Sequence, residues 1–201
     1  MILLVDTETS NIGTWKRILE SLGEKYTLSS EDIKPSSKIK KIIFPGIGNY
    51  GHVINNLKKN KIFFILEELI NSDIPYLGVC IGMQILFRNS EESPKIKGMD
   101  IIKGTVKKLD FENIPCPHNG WNNIIIKKPQ KIFSNIEKKK DLYFNHSFYC
   151  SCDKSIDVTS TLSDNQKIIT SIKKRKVIGL QFHPEKSMGA GIQIIKNFLD
   201  I

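Results

Sequence analysis

At 201 residues, 40% apolar and 25% charged, the chain has the length and composition of one domain with a full core. No apolar run approaches the roughly 18–20 residues of a membrane span. The net charge of +9 comes almost wholly from scattered lysines ("KIKK", "KKNK", "EKKKD") with little aromatic interleaving, which fits a solvated basic surface better than a nucleic-acid site built from clustered arginines and stacking rings. The start, "MILLVDTETSN", has no basic n-region and reaches Asp6 after five residues. It therefore predicts no signal peptide, a cytoplasmic protein, and reduced thiols at Cys80, Cys116, Cys150 and Cys152. No repeat, low-complexity tract or linker divides residues 1–201, so one domain is expected.

In chain order, "MILLVD" reads as a strand buried on both faces. From an N-cap at Ser10 or Asn11, apolar residues Ile12, Trp15, Ile18, Leu19 and Leu22 recur at helical spacing up to Gly23, a stop signal. "KYTL" and "KIIF" read as short strands, Leu57 to Ile70 as helix, "PYLGV" as another buried strand, and "IGMQILF" as the opening of a helix. That alternation predicts a parallel α/β sheet. After residue 95, "MDIIKGTVKKL", "NNIIIKK", "DLYFNHSFY", "IDVTSTL", "QKIITSIKK" and "KVIGLQF" are short, β-branched and closely spaced, as antiparallel strands or edge extensions would be. "GAGIQIIKNFLDI" closes the chain as an amphipathic helix with Ile192, Ile195, Phe198 and Leu199 on one side. The expected fold is α/β, a mixed and mostly parallel sheet flanked by helices, with additional short antiparallel strands in the C-terminal half.

Cys80 lies where "PYLGV" hands over to "IGMQ", and Gly78-Val79-Cys80-Ile81-Gly82 is the cysteine form of a nucleophile elbow, G-x-C-x-G. A turn this sharp forces unusual backbone angles on the central residue, and side chains at either flank would collide with the neighbouring strand and helix. The helix N-terminus favours a thiolate and later an oxyanion, for which the Ile81 N–H is a natural donor. The bland alternative is a buried cysteine that only packs.

A nucleophile needs a base. Of His52, His118, His146 and His183, the last ends an apolar strand in "VIGLQFHPEKS". In an extended segment His183 and Glu185 face one way, with Pro184 holding the backbone between them, so a carboxylate can orient an imidazole. His146, Cys150 and Cys152 offer no fourth ligand at zinc-site spacing, and no metal or cofactor is expected.

"GVCIGMQ" followed about a hundred residues later by "FHPE" resembles the class I, triad-type glutamine amidotransferases, whose fold is flavodoxin-like. "PGIGNYG", "HNGWNNI", "YFNHSFY" and "GLQFHPEKS" resemble, in order and spacing, the glutaminase subunits of imidazole glycerol phosphate synthases in histidine biosynthesis, and the likeness covers nearly the whole chain. It implies that Cys80 attacks the side-chain amide of L-glutamine to form a thioester, that His183 moves the protons and that Glu185 orients His183. It also implies an oxyanion hole at Gly46, Ile47 and Ile81, and substrate contacts at Gly48, Gln84, His146, Ser147 and Phe148. Asn119, Trp121, Asn122 and Lys186 would face a partner, a separate (β/α)8-barrel cyclase bound as a heterodimer. Read without the resemblance, "PGIG" is an ordinary turn, His146 a structural histidine and Trp121 partly buried packing.

Three positions depart from the family pattern: "DTETSN" replaces a glycine-containing loop, Asn119 stands where a bulky apolar residue is usual, and Phe148 where tyrosine is common. None touches the triad. They keep open a paralogue that supplies ammonia to a different acceptor, such as a nucleotide-linked surface sugar; a non-catalytic module on the same fold is the third reading. Ammonia released into water protonates and ceases to be a nucleophile, so the isolated chain is expected to be nearly silent.

Overall fold

The structure, a computed structural model, describes residues 1–7, 11–30, 38–112, 114–152, 157–162 and 168–201. Glu8, Thr9 and Ser10 of the "DTETSN" loop lie outside the described residues.

The apolar N-terminal run becomes strand β1 (Ile2–Leu4). Its side chains alternate, with Leu3 joining one core cluster and Ile2 and Leu4 the other, so the strand is buried on both faces. Helix α1 (Ile12–Ser21) buries Trp15, Ile18 and Leu19, and the chain turns at Gly23 with φ +73°, a left-handed value glycine adopts without strain. Strands β2 (Tyr26–Leu28) and β3 (Lys41–Phe44) follow where expected.

The helix expected over Leu57–Ile70 is two helices, α2 (Tyr50–Lys59) and α3 (Ile62–Asn71), separated by Lys61 in a left-handed conformation at φ 60°. Tyr50, Val53, Ile54 and Leu57 form the apolar stripe of α2. Three or four residues further, that stripe would land on Asn60 and Lys61, so a straight helix would bury polar groups; the break resets the phase for Ile62, Phe63, Leu66, Leu69 and Ile70. Asn49 caps α2, its Oδ1 accepting from the His52 N–H at 3.0 Å.

Strand β4 (Tyr76–Val79) leads into α4 (Ile81–Gln84), a single turn rather than the longer helix that "IGMQILF" suggested. Beyond Gln84 the carbonyls of Ile85 and Leu86 accept from the N–H groups of Met99 and Ile102, so that backbone pairs laterally instead of continuing the helix. The chain goes on through β5 (Phe87–Ser90), β6 (Ile102–Lys108) and β7 (His118–Ile126). "DLYFNHSFY" is not one strand: β8 (Lys139–His146) and β9 (Phe148–Cys152) part at Ser147 and enter different sheets. Strands β10 (Asp157–Leu162), β11 (Ile169–Lys174) and β12 (Val177–Leu180) precede a 3-10 turn (Pro184–Lys186) and helix α5 (Met188–Leu199).

Among the described residues the large sheet has nine strands in the order β2-β1-β3-β4-β12-β11-β10-β7-β8. Pairings from β2 through β12 are parallel and those from β12 to β8 antiparallel. A second sheet, β5-β6-β9, joins a parallel pair to an antiparallel one. The fold is therefore α/β with a mixed sheet, as expected. One core cluster lies between the large sheet and α2, α3 and the small sheet; the other holds α1 and α5. Among the described residues no helix is long and apolar enough to cross a membrane.

Candidate active site

Strands β4 and β12 run side by side, Gly78 opposite Gly179 and Val79 opposite Leu180. Their ends deliver Cys80 and His183 to the same edge of the sheet, and the Cys80 N–H donates to the Leu180 carbonyl at 2.7 Å. Cys80 has φ 53° and ψ −105°, a conformation that costs a non-glycine residue on the order of 1–3 kcal/mol and persists only where its surroundings enforce it. The flanking glycines are required by contact. A Cβ on Gly78 would lie 2.3 Å from the Gly82 carbonyl oxygen, and one on Gly82 would lie 2.2 Å from the Phe44 carbonyl oxygen. The expectation of collision at both flanks is met.

His183 Nδ1 lies 2.8 Å from Glu185 Oε1, with both side chains buried. The pairing arises differently from the extended arrangement expected: His183 is extended, but Pro184 opens the 3-10 turn, a place its fixed φ and missing N–H suit. Ser187 braces the turn by donating its hydroxyl to the His183 carbonyl at 2.7 Å and accepting the Tyr143 N–H at 3.0 Å. Among the described residues His183 Nε2 is buried with no partner at standard hydrogen-bond geometry, which leaves it for the Cys80 sulfur. Burial pulls the imidazole pKa down, but Cys80 and Glu185 outweigh it and push it up to about 10. That favours the protonated ring, the partner a thiolate needs.

Beside the sulfur is a cavity of about 200 Å³ lined by Ile47, Gly48, Cys80, Gln84, Glu92, Asn145, His146, Ser147 and Phe148. Every residue expected to touch a substrate lies on this list. Of the three expected oxyanion residues, Ile47 lines the cavity, whereas Gly46 and Ile81 are buried beside it. A larger depression of about 660 Å³ along Ile126–Lys138 is lined by lysines, apolar residues, Gln130 and Ser134, with neither a cysteine nor a histidine, so size alone does not choose the site.

Trp121 is 48% exposed and its ring meets Tyr143 edge-on at 6.0 Å, while the Tyr143 ring lies 6.5 Å from that of His183. Lys186 Nζ sits 5.3 Å above the same Tyr143 ring, and Asn119 Oδ1 accepts the Tyr143 hydroxyl at 2.9 Å. Asn122 turns the other way: its Nδ2 meets His118 Nε2 at 3.1 Å.

Several residues here carried no sequence signal strong enough to single them out. Gln181, fully buried, donates Nε2 to the Cys80 sulfur at 3.6 Å. Glu92 brings a carboxylate into the cavity and holds the Tyr50 N–H at 2.6 Å. His118 contacts His146 ring to ring. The "LQFHPE" run did offer Gln181 as the residue two before the base, on the same side of an extended segment.

Comparison with known proteins yields a consistent set of relatives. The family model described as glutamine amidotransferase class-I matches residues 3–201. The chain is 39% identical to the imidazole glycerol phosphate synthase subunit HisH of Pyrococcus furiosus, over 98% of this chain and 97% of that protein. It is 37% identical to the subunit of the same name from Buchnera aphidicola, over 100% of this chain and 99% of that one. Among solved structures, PurLQS from Thermotoga maritima aligns with TM-score 0.75 at 21% identity, covering 99% of this chain and 97% of that one. A structure described as glutamine amidotransferase aligns with TM-score 0.75 at 15% identity, covering 100% and 98%. Those likenesses concern the fold.

Proposed function

The chain belongs to the class-I glutamine amidotransferase family, and from that premise we propose that it is the glutaminase subunit of an imidazole glycerol phosphate synthase. It hydrolyses L-glutamine to glutamate and ammonia and hands the ammonia to a separate (β/α)8-barrel cyclase in histidine biosynthesis. Full-length identity to subunits of that name supports the choice of pathway. The observation that carries the chemistry is the strained Cys80 beside the buried His183–Glu185 pair, at the wall of a cavity sized for an amino acid.

The steps follow from where the proton sits. With the imidazolium at His183, Cys80 attacks as thiolate on the carbonyl carbon of the glutamine amide, and the C=O π electrons move to oxygen. N–H groups of Ile81 and the Gly46–Ile47–Gly48 segment stabilise that oxyanion. Collapse breaks the C–N bond as His183 gives its proton to the leaving nitrogen, releasing ammonia and leaving a glutamyl thioester. Neutral His183 then takes a proton from water, the hydroxide attacks the thioester, and the thiolate departs with glutamate formed. Glu185 holds Nδ1 throughout and keeps Nε2 aimed at the reacting atoms. Glu92 gives the cavity the negative charge that an α-ammonium group requires.

The partner reading rests on chemistry and exposure together. Ammonia must not reach bulk water, and Trp121, Tyr143 and Lys186 form an aromatic and cationic cluster against His183. The protein acts in the cytoplasm, with its substrate and partner. Glutamate release tests the assignment: the chain alone, with the cyclase, and with the cyclase plus its nucleotide substrate. Strong stimulation in the last mixture, lost in Cys80→Ala, supports the assignment. Silence in every mixture from a folded chain moves the acceptor to a different synthase, such as one aminating a nucleotide-linked sugar.

A further inference from the structure

The buried pair His118 and His146 has no place in the chemistry above, yet both rings are 5% exposed and their hydrogen bonds are fully specified. His146 Nδ1 lies 2.9 Å from the Phe148 carbonyl oxygen. A carbonyl only accepts, so Nδ1 carries the proton. In a neutral ring Nε2 is then bare, and it lies 3.0 Å from His118 Nδ1, which must donate. His118 Nε2 is bare in turn and lies 3.1 Å from Asn122 Nδ2. At the far end the Asn123 N–H donates to Asn122 Oδ1 at 2.7 Å, which fixes the amide so that its Nδ2 faces His118. A backbone donor at one end and a backbone acceptor at the other thus dictate the direction of every bond between them.

Protonating His146 would set its Nε2–H against the His118 Nδ1–H at 3.0 Å, and protonating His118 would set its Nε2–H against the Asn122 amide N–H at 3.1 Å. Burial, with the facing imidazole, holds His146 well below the ordinary histidine range, and burial also lowers His118. The Phe148 carbonyl at the end of the relay accepts a second bond from Gln84 Nε2 at 3.0 Å. Phe148, His146 and Gln84 all line the cavity, while Asn122 adjoins the exposed Trp121.

We propose that His118 is a positioning residue for glutamine binding: the relay Asn122–His118–His146 holds the Phe148 carbonyl, and with it one wall of the cavity, in register with the surface turn at Trp121. The functional half of this inference rests on the glutaminase reading; the tautomer half does not. Removing the His118 donor leaves His146 Nε2 buried and unpaired and frees the wall, while Cys80 and His183 keep their geometry. Binding should weaken and chemistry should not.

Two measurements test it. In the full chain labelled with ¹⁵N-histidine, long-range ¹H–¹⁵N spectra at pH 7 should show His118 and His146 neutral, each protonated at Nδ1 and bare at Nε2. An Nε2–H or a charged ring at either residue overturns the relay. In the cyclase complex, His118→Phe keeps the stacking on Phe144 (centroids 4.7 Å apart) but lacks the donor, and should raise the KM for glutamine about tenfold with kcat within about threefold. His118→Asn places an amide N–H near the former Nδ1 and should recover most of that loss. An unchanged KM in His118→Phe, or an Asn variant no better than Phe, contradicts the positioning role. If His118→Phe does not fold, the Asn variant and the wild-type spectra still decide. Wild-type protein that never releases glutamate refutes the glutaminase reading, and the spectra then judge the relay separately.

Discussion

Gly78 on β4 stands directly opposite Gly179 on β12, and this one pairing brings the nucleophile and its base to the same end of the sheet, with Gln181 level with Cys80 and His183 two residues beyond. The single turn of α4 rests on both glycines: a Cβ on Gly78 would strike the Gly82 carbonyl at 2.3 Å, and one on Gly179 would strike Met83 Cγ at 2.6 Å.

The two positions should therefore respond unequally to a methyl group. Gly78→Ala meets backbone that cannot yield and should cost about 3 kcal/mol or more of unfolding free energy, with loss of activity. Gly179→Ala meets a flexible methionine and should cost about 1 kcal/mol. Urea denaturation of both variants checks the order.

Glu185→Gln keeps the shape of the side chain but removes the negative charge beside His183 Nδ1. It should lower kcat by about 10²–10⁴-fold with little change in KM for glutamine, because the ring loses its orientation and the stabilisation of its charged form. Steady-state kinetics in the presence of the cyclase reads both parameters.

The buried histidines pull stability in opposite directions with pH. His146, held at about 3 by burial, His118 and His183, binds its proton more readily when unfolded. Its contribution is present above about pH 6.5 and is lost as pH falls toward 3. His183 is opposed by burial but raised by Cys80 and Glu185 to about 10. Its contribution is present below about pH 6.5 and is lost as pH rises through 10. Urea midpoints across pH should fall on both sides of neutrality, and Cys80→Ala should flatten the alkaline limb.

Trp121 is 48% exposed and, among the described residues, its one ring partner is Tyr143. Trp121→Ala should change unfolding free energy by less than about 0.5 kcal/mol while weakening binding to the cyclase tenfold or more. Calorimetric titration against thermal denaturation separates the two effects.

What could be read from the sequence was whatever is dictated within a few neighbouring residues. Cysteine between two glycines, after a strand buried on both faces, announces a strained turn, and its angles and contacts follow from that. The start of α2 was equally local, since Tyr50, Val53, Ile54 and Leu57 have helical spacing, but the preceding "PGIG" reads as loop and hid it. His118 was hidden for a physical reason: its partner His146 becomes a neighbour only through the register of β7 and β8. Gln181 likewise reaches the sulfur only once β12 is laid beside β4. The 3-10 turn at Pro184 shows the reverse case, in which the residues and their pairing were legible but the backbone path between them was not.

The most direct test of the account is to trap the covalent intermediate. The chain, mixed with glutamine, cyclase and the cyclase's nucleotide substrate and quenched in acid, should carry one glutamyl group by intact-protein mass spectrometry. Peptide mapping should place it on Cys80, and it should be absent from Cys80→Ala. Glutamate release with no adduct, or with the adduct on Cys116, Cys150 or Cys152, would contradict a thioester at the elbow.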